Sequence, residues 1–391
     1  MLGGQVVDET EIYLDECPAS PIGHILALRS SVEGASDEAP YLGMDSINDV
    51  TIYLTHACNL ECKHCYLSAG RPLSNELSAD DWLIILDKLR SLGVKYIYLL
   101  GGEPTLLVRR GLLRIISHAK DLGFYVSMST NGTLVNREVA LQLRRAGLDQ
   151  VQVSIDGPNP AVNDVIRGVG SFDKAVKAVG VFREVGIAVS LSYTVIPDNA
   201  YYVIDMVRLA ERLGVPVLTF IRVQEFGRAL DNGLYLSDEM ARRVVDDLLR
   251  IKTNVKLVLN GFRFGLSNIY EAYRKSRERL NALRIINYNT CPAGRSRFVI
   301  DSDGSVYGCE LLMGKAFYEG NALRDNLRII WRDGFKSFRN RNYRDIKPCN
   351  TCPMADLCNA GCPARAFSVF GSINSPDPYC PMVKGLINKA R

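Results

Sequence analysis

The stretch from Asp49 to Cys65 reads DVTIYLTHACNLECKHC, a short apolar run followed at once by three closely spaced cysteines. Five further runs rich in β-branched and aromatic residues follow along the chain, separated by amphipathic stretches. We predict strands at Asp49–Leu54, Val94–Leu100, Phe124–Ser129, Gln150–Ile155, Ala188–Val195 and Val215–Arg222. This alternation is typical of an α/β fold with a parallel sheet wrapped by helices. Because six βα units close only part of a barrel, we expect a partial (βα)6 TIM-like barrel.

The composition is that of a globular protein, with 47% hydrophobic and 23% charged residues over 391 positions. That length suffices for one large domain and a smaller one. The formal charge of +4 is small, so it does not indicate a nucleic-acid partner. No apolar segment reaches the roughly 18 to 20 residues needed to span a bilayer, and the amino terminus lacks a targeting pattern. We therefore expect a cytoplasmic protein that binds neither nucleic acid nor membrane.

Eleven cysteines are the unusual part of this composition. Reducing compartments disfavour disulfides, so metal binding or redox chemistry is the usual reason for many cysteines. Three of them lie between residues 58 and 65, seven follow residue 290, and none lies between Cys65 and Cys291. This distribution predicts two separate metal-binding regions.

The first region places three thiolates, Cys58, Cys62 and Cys65, in one loop directly after the first predicted strand. In α/β barrels this carboxyl edge of the sheet carries the chemistry. Three thiolates suit a cube of four irons and leave one iron open to a small chelating molecule. The alternative is a zinc knuckle, but structural zinc prefers four protein ligands and the nearest candidate, His64, is cramped between two cysteines.

The spacing CX3CX2C, with an aromatic residue before the last cysteine, resembles the radical S-adenosylmethionine (SAM) superfamily. The resemblance implies that Cys58, Cys62 and Cys65 are catalytic and hold a [4Fe-4S] cluster whose open iron is chelated by SAM. Reduction of such a cluster yields a 5′-deoxyadenosyl radical, which abstracts a hydrogen atom from the substrate. His64 takes the aromatic place and would lie against the adenine.

Glycine and polar residues follow the next two predicted strands in the order of that family. Gly101-Gly102-Glu103 resembles its GGE motif, which holds the SAM amino group. Two residues without a Cβ also let the backbone approach a ligand closely. Asn131 lies in a Thr-Asn-Gly segment that is similar to the TNG segment of the family.

The fourth predicted strand ends in Ser154 and Asp156, whose hydroxyl and carboxylate could bond ribose hydroxyls. Arg167 is placed like the family's arginine that pairs with the SAM carboxylate, a contact that guanidinium geometry favours. Each of these residues alone is typical of a cap or turn. Their appearance at successive strand ends is what indicates a SAM site.

The second region spaces its cysteines as in the SPASM extension of radical SAM enzymes, although two CXXC-like pairs would also suit a zinc ribbon. The resemblance implies two auxiliary [4Fe-4S] clusters, hence three clusters in all. By position, the first would be held by Cys291, Cys309 and Cys362, and the second by Cys349, Cys352, Cys358 and Cys380. Two fully coordinated four-iron clusters need eight thiolates, and these seven are one short. Water, a substrate thiolate, a nearby carboxylate or Cys17 could complete the first cluster.

These observations divide the chain into four parts. We predict an irregular, acidic amino-terminal arm over residues 1–45 and the barrel over 46–236. Bridging helices near Asp238–Lys252 and Leu266–Leu283 occupy 237–285. A small cysteine-rich α+β domain covers 286–391 and opens with a hairpin that pairs Phe298–Ile300 with Val306–Tyr307.

SPASM proteins mostly modify peptides, so the resemblance implies a maturase that abstracts hydrogen from a side chain of a peptide or small protein. Thioether or carbon–carbon crosslinking of a ribosomally made peptide, or of a cofactor precursor peptide, is the expected type of reaction. An external donor such as ferredoxin or flavodoxin would supply electrons. Because residues 1–45 are too few for a leader-binding domain, we expect a separate small protein to bind the leader.

Two alternatives stand beside this hypothesis. The segment Cys58–Gly70 also looks like radical SAM enzymes that modify haem or sirohaem side chains. A scaffold or electron carrier stabilised by zinc or iron-sulfur centres would explain the cysteines without catalysis. It would leave the residues at the strand ends unexplained.

Overall fold

A computed structural model of the chain describes residues 10–15, 17, 23, 25, 27, 47, 49–262, 283–286, 291–352, 355–380 and 383–384. Within these residues, twelve strands form one sheet in the order β12-β11-β10-β2-β3-β4-β5-β6-β7-β8-β1-β9. The strands are β1 Ile12–Asp15, β2 Asp49–Tyr53, β3 Tyr96–Leu100, β4 Tyr125–Thr130, β5 Gln150–Ser154, β6 Ala188–Val195, β7 Val217–Arg222, β8 Lys256–Asn260, β9 Leu283–Ile286, β10 Arg297–Ile300, β11 Ser305–Tyr307 and β12 Gly320–Asn321.

Strands β2 to β8 lie side by side in chain order and are all parallel, so their carboxyl ends meet at one edge. Their apolar residues are buried almost completely, as expected for a sheet covered by helices. The helices of this part are Ala79–Ser91, Leu112–Asp121, Arg137–Arg145, Pro160–Arg167, Ser171–Glu184, Val203–Leu213, Arg228–Asp231 and Asp238–Arg250, with 3-10 turns at Pro104–Arg110 and Ala200–Tyr202. The predicted α/β partial barrel is confirmed, and each of the six predicted strands is present within two residues of its expected bounds.

The helix Ala79–Ser91 illustrates why the sequence folds in this way. Ser78 and Asp81 form a capping box, each side chain bonding the other's backbone N–H. Trp82 and Leu86 belong to an apolar stripe that is buried against the sheet. The stripe fixes which side of the helix faces the barrel.

The amino-terminal arm departs from the prediction of an irregular segment. Within its described residues, Ile12–Asp15 forms β1, which pairs in parallel with β8 and β9. Tyr13 and Leu14 are buried, and the Thr10 hydroxyl donates to the Ile251 carbonyl over 2.8 Å. The partners of β1 lie more than 200 residues away in sequence, so no local periodicity announces it.

The bridging region also differs from the prediction. A helix is present at Asp238–Arg250, as predicted, but β8 then extends the parallel sheet by a seventh strand where only helices were expected. The apolar run of β8 is short and has charged residues around it, so the sequence pattern did not indicate a strand there. The predicted helix Leu266–Leu283 lies outside the described residues except for Leu283, which begins β9.

The cysteine-rich part opens with the predicted hairpin, in which β10 and β11 pair antiparallel across the Asp303-Gly304 turn. Its remaining helices are Leu327–Asp333, Lys336–Arg339, Ala355–Cys358 and Pro363–Phe370, with 3-10 turns at Glu310–Leu312, Lys315–Phe317, Tyr343–Asp345 and Cys349–Thr351. Unexpectedly, β10 also pairs in parallel with β2, with Phe298 opposite Val50. The cysteine-rich part is therefore continuous with the barrel sheet. Every helix in the described part of the chain is too short or too polar to cross a lipid bilayer.

Candidate functional site

The loop that follows β2 carries the three cysteines Cys58, Cys62 and Cys65, here called the loop set. Cys62 is buried, and the other two are half-buried. Backbone hydrogen bonds close the base of the loop, since the Cys58 N–H donates to the Gly70 carbonyl over 3.0 Å. The first strand and this closed loop therefore deliver three thiols to the carboxyl edge of the barrel.

An arginine outside the loop fixes its shape. The Arg228 guanidinium donates to the carbonyls of Cys62 over 2.9 Å and Ala69 over 2.8 Å, and its backbone N–H donates to the Cys65 carbonyl. The neighbouring Gly227 has a φ of 51°, and a Cβ there would lie 2.4 Å from the Tyr66 carbonyl oxygen. The contact of Arg228 with the loop was missed by sequence reasoning. An arginine 166 residues from Cys62 carries no local signal that it binds backbone carbonyls of the loop.

A cavity of about 1270 Å³, including its space open to solvent, lies over the loop set at the carboxyl edge. Ligand sites in proteins are usually concave pockets lined by a few convergent polar groups, and this cavity has that arrangement. Of the residues predicted from the sequence, it is lined by Cys58, Cys62, His64, Cys65, Gly101, Gly102, Asn131, Ser154 and Arg167. The structure thus brings together residues from the ends of four different strands.

The glycines after β3 pack against the cysteine loop. The Gly102 N–H donates to the Thr55 carbonyl over 2.7 Å. A Cβ at Gly102 would lie 2.0 Å from the Ala57 carbonyl oxygen, and one at Gly101, whose φ is 149°, would lie 2.4 Å from the Thr55 oxygen. Both positions therefore need glycine, because a side chain would prevent the backbone after β3 from packing against the backbone that follows β2, beside the same cavity.

Glu103 is fully buried and does not line the cavity. Its Oε1 accepts from the Thr105 and Thr130 hydroxyls over 2.6 and 2.7 Å, and its Oε2 accepts from the Asn131 N–H over 2.7 Å. Burial raises the pKa of Glu103, and these hydrogen bonds oppose the rise. The carboxylate binds the turn after β4 and so holds the cavity-lining Asn131 in place.

Asp156 is the centre of a buried charged network rather than part of the cavity wall. Its Oδ2 lies 2.5 Å from His64 Nε2 and 2.5 Å from Arg167 Nε, and its Oδ1 accepts from the Thr194 N–H over 2.7 Å. Burial alone would raise the pKa of Asp156, but Arg167 and His64 lower it to about 2. Arg167 Nη1 also lies 3.9 Å from the Cys62 sulfur. Asp156 therefore fixes two side chains that face the cavity.

The opposite wall of the cavity holds a buried arginine. Arg222 is fully buried, donates to the Leu236 carbonyl over 2.8 Å, and stacks 4.0 Å from the centre of the Tyr379 ring. Burial lowers the pKa of Arg222. Among the described residues, its Nε and Nη1 atoms have no hydrogen-bond partner. Its Nη2 also lies 3.5 Å from Asp238 Oδ1, so the Nε and Nη1 N–H groups are the ones that can bind an anionic group of a ligand.

The first auxiliary set, defined as Cys291, Cys309 and Cys362, belongs to one apolar cluster with Tyr53 at the end of β2 and Tyr66 of the cysteine loop. Burial raises the pKa of Cys309 well above its ordinary value, and nearby Glu310, Cys17, Cys362 and Cys291 raise it further. Cys291 and Cys362 pack against the apolar cluster that contains Cys309. The buried Arg297, which pairs with Glu310 next to Cys309, also lies 3.9 Å from the Cys17 sulfur, so the structure places Cys17 beside this set.

The second auxiliary set consists of Cys349, Cys352, Cys358 and Cys380. Burial raises the pKa of Cys349 to about 11, and the other three thiols raise it as well. No three histidine, cysteine or carboxylate side chains among the described residues are placed to hold a single metal ion. In a four-iron cube, by contrast, each thiolate binds a different iron.

Two buried arginines organise the auxiliary sets. Arg341 donates to five backbone carbonyls, those of Ile373, Asn359, Gly361, Ala360 and Ser375. Arg365 pairs with the buried Asp377 over 2.5 Å, and Asp377 accepts from the Cys362 N–H over 2.8 Å. Sequence reasoning missed both, since their partners are carbonyls and residues that only the fold brings near.

Comparison with known proteins adds to this geometry. A family profile described as the radical SAM superfamily matches residues 52–220, and one described as an iron-sulfur cluster-binding domain, SPASM, matches residues 291–353.

Two curated relatives cover most of the chain. The chain is 32% identical over 342 residues to mycofactocin maturase MftC of Mycolicibacterium smegmatis, covering 86% of this chain and 83% of that protein. It is 28% identical over 340 residues to an AdoMet-dependent heme synthase of Oleidesulfovibrio alaskensis, covering 84% and 85%.

A solved structure has a similar fold. The crystal structure of Streptococcus suis SuiB bound to the precursor peptide SuiA aligns with a TM-score of 0.66 at 19% identity, covering 86% of this chain and 76% of that one.

Proposed function

Because this chain belongs to the radical SAM superfamily and carries a SPASM domain, we propose that it is a maturase acting on a side chain of a peptide or small protein. It is an enzyme whose cofactors are SAM, a SAM-binding [4Fe-4S] cluster and auxiliary iron-sulfur clusters. The observation that carries the proposal is the loop set facing an open cavity at the carboxyl edge of the barrel.

The residues around the cavity fit these groups. Three thiols of one loop reach the same space, which leaves room above them for a chelating ligand. Arg222 presents two N–H groups that have no partner within the described chain. When bound, SAM and a reduced four-iron cluster supply a 5′-deoxyadenosyl radical that abstracts hydrogen.

Each predicted residue then has a proposed role. Cys58, Cys62 and Cys65 would each bind one iron and leave the fourth to SAM. His64, held by Asp156, would lie beside the adenine. Asp156 would act as a positioning residue for His64 and Arg167, since its oxygens already accept from protein donors.

The remaining cavity residues would bind SAM through polar and backbone atoms. The oxygens of Glu103 are engaged by Thr105, Thr130 and Asn131, so the SAM amino group would meet the backbone of Gly101 and Gly102. Ser154 and Asn131 line the cavity and would contact the ribose side of the ligand. Arg167, whose Nη1 lies near Cys62, would pair with the SAM carboxylate.

The auxiliary sets would take the electron that remains on the product radical. They would hold one four-iron cluster each, giving three clusters in the chain. We further propose an external donor of the ferredoxin or flavodoxin type, a separate leader-binding protein, and a cytoplasmic location. The zinc scaffold and electron-carrier alternatives leave the cavity and its ordered polar lining unexplained.

A second candidate function is modification of a haem or sirohaem side chain. The heme synthase relative favours it, because the similarity extends over 85% of that protein. The free N–H groups of Arg222 would suit a propionate as well as a peptide carboxylate.

The test is anaerobic turnover with SAM and a strong reductant, offering either short cysteine-containing peptides or an iron porphyrin. Production of 5′-deoxyadenosine together with a mass loss in the peptide supports the maturase. Turnover of the porphyrin alone would establish the second candidate instead. A colourless protein that contains zinc and makes no 5′-deoxyadenosine would refute both.

A further inference from the structure

We propose that Cys17 is the fourth thiolate ligand of the cluster held by the first auxiliary set, so that this cluster has no open iron. The inference rests on the proposed function, because it requires that the first auxiliary set binds a four-iron cluster. Sequence alone left the fourth ligand open among water, a substrate thiolate, a carboxylate and this cysteine.

The strand β1 brings Cys17 to the first auxiliary set. Cys17 follows the end of β1 by two residues, and Asp15 at that end lies opposite Asn260 of β8. Leu14 is 1% exposed and the Thr10 hydroxyl is bonded to Ile251, so the strand is anchored in the sheet. The thiol is thus held by a fixed element of the fold.

Arg297 links this thiol to the first auxiliary set. Its Nη1 lies 3.9 Å from the Cys17 sulfur, and its Nη2 pairs with Glu310, the residue after Cys309. The Arg297 N–H donates to the carbonyl of Pro292, the residue after Cys291. The buried guanidinium therefore contacts Cys17 and the neighbour of Cys309, while the backbone of the same residue is bonded to the neighbour of Cys291.

The mutual positions of the thiols agree with this geometry. Cys291 and Cys362 pack against the apolar cluster that contains Cys309, and the guanidinium that pairs with Glu310 beside Cys309 also lies 3.9 Å from the Cys17 sulfur. The positive charge of Arg297, held in place by Asp49 over 3.1 Å, would stabilise a thiolate at Cys17.

The inference also accounts for the number of cysteine ligands that two clusters need. Eight thiolates complete two four-iron clusters with four cysteines each, and the cysteines outside the loop set number eight when Cys17 is included. A closed cluster suits electron transfer. A substrate thiolate would then have no vacant iron to bind at this position.

The experiment uses the full chain in which the loop set is replaced by alanine, because the SAM-binding cluster would otherwise contribute its own open iron. After anaerobic reconstitution, this background should contain about eight irons. Close to zero iron here would mean that the auxiliary clusters of the proposed function are absent, a failure distinct from that of the Cys17 assignment.

In that background, Cys17→Ala should either lose about four irons or keep them with one iron open. An open iron is detected as a change in the electron paramagnetic resonance spectrum of the reduced protein when cyanide is added. Glu11→Gln, a substitution in the same arm, is the control and should leave iron content and spectrum unchanged. A Cys17→Ala protein with eight irons and no response to cyanide would overturn the proposal.

A measurement on the unmutated chain guards against a variant that fails to fold. Cys17 is half-buried, so an unligated thiol would react with iodoacetamide. Mass spectrometry should find Cys17 protected in the iron-loaded protein and alkylated after iron is removed with a chelator. Complete alkylation of Cys17 in the loaded protein would likewise contradict the assignment.

Discussion

The loop set and the first auxiliary set hold their thiols in opposite ways. The loop set lies within eight residues of one segment and faces an open cavity. The first auxiliary set, with Cys17, draws on stretches as far apart as residues 17 and 362, and Cys309 within it is buried. A local site can be lost without disturbing the rest of the fold, whereas a distributed site joins segments that would otherwise separate. Function and stability should therefore respond differently at the two sites.

The sharpest test of this contrast is Cys58→Ala. We expect production of 5′-deoxyadenosine to fall to background, because the cluster that binds SAM would lose one of its three thiolates. The temperature of unfolding should stay close to that of the parent, since the loop is held by Arg228 and by its own backbone bonds. Liquid chromatography of the reaction and a thermal unfolding scan measure the two effects. Undiminished 5′-deoxyadenosine would refute the assignment of the loop set.

Cys362→Ala should have the complementary effect. It should remove the first auxiliary cluster, with a loss of about four irons, while reductive SAM cleavage remains in part. The unfolding temperature should fall, because several distant segments lose a common anchor. Iron analysis, 5′-deoxyadenosine yield and a thermal scan are compared with those of Cys58→Ala. An iron content equal to that of the parent would contradict the proposed difference between the loop set and the first auxiliary set.

A smaller effect is expected from Asp377→Ala, which leaves Arg365 as an uncompensated buried charge. Breaking a buried pair on one side costs about 3–5 kcal/mol. The Cys362 N–H also loses its acceptor, so the first auxiliary set should bind iron less firmly. Urea unfolding under anaerobic conditions measures the loss. The control is Asp333→Ala, which removes an exposed ion pair with Arg332 and should not shift the midpoint. Equal midpoints for the two variants would count against this role.

The smallest change is expected for Gly102→Ala, which tests the local site without touching a cysteine. The added Cβ would lie 2.0 Å from the Ala57 carbonyl oxygen, so the backbone must move. Such crowding costs about 1–3 kcal/mol of stability. If the SAM-binding backbone is distorted to the same extent, SAM binds roughly 5-fold to 150-fold more weakly. Gly180→Ala is the control, because its Cβ would meet nothing within 4 Å. Calorimetric titration with SAM should separate the two, and equal affinities would show that the packing at Gly102 is unimportant.

The same contrast explains how much the sequence alone could predict. The six barrel strands and the loop set follow from local patterns, a buried apolar run and a fixed cysteine spacing. β1 and the pairing of β10 with β2 could not be predicted, because the paired residues lie about 245 to 248 positions apart in the chain. The sequence identified Glu103 and Asp156 as residues of the candidate site, and they were expected to face a ligand. Only the structure reveals that protein donors occupy their oxygens.

The parallel pairing of β10 with β2 has a consequence for the distance between the iron sites. β2 ends in the loop set, and β10 begins shortly after Cys291, so backbone hydrogen bonds tie the two regions side by side. Separate domains ordinarily move relative to one another unless their interface is extensive. If an electron passes between these two regions, as proposed above, the span it crosses is set by the spacing of strands in the sheet rather than by hinge motion. Its transfer rate should consequently respond to redox potential and remain insensitive to solvent viscosity.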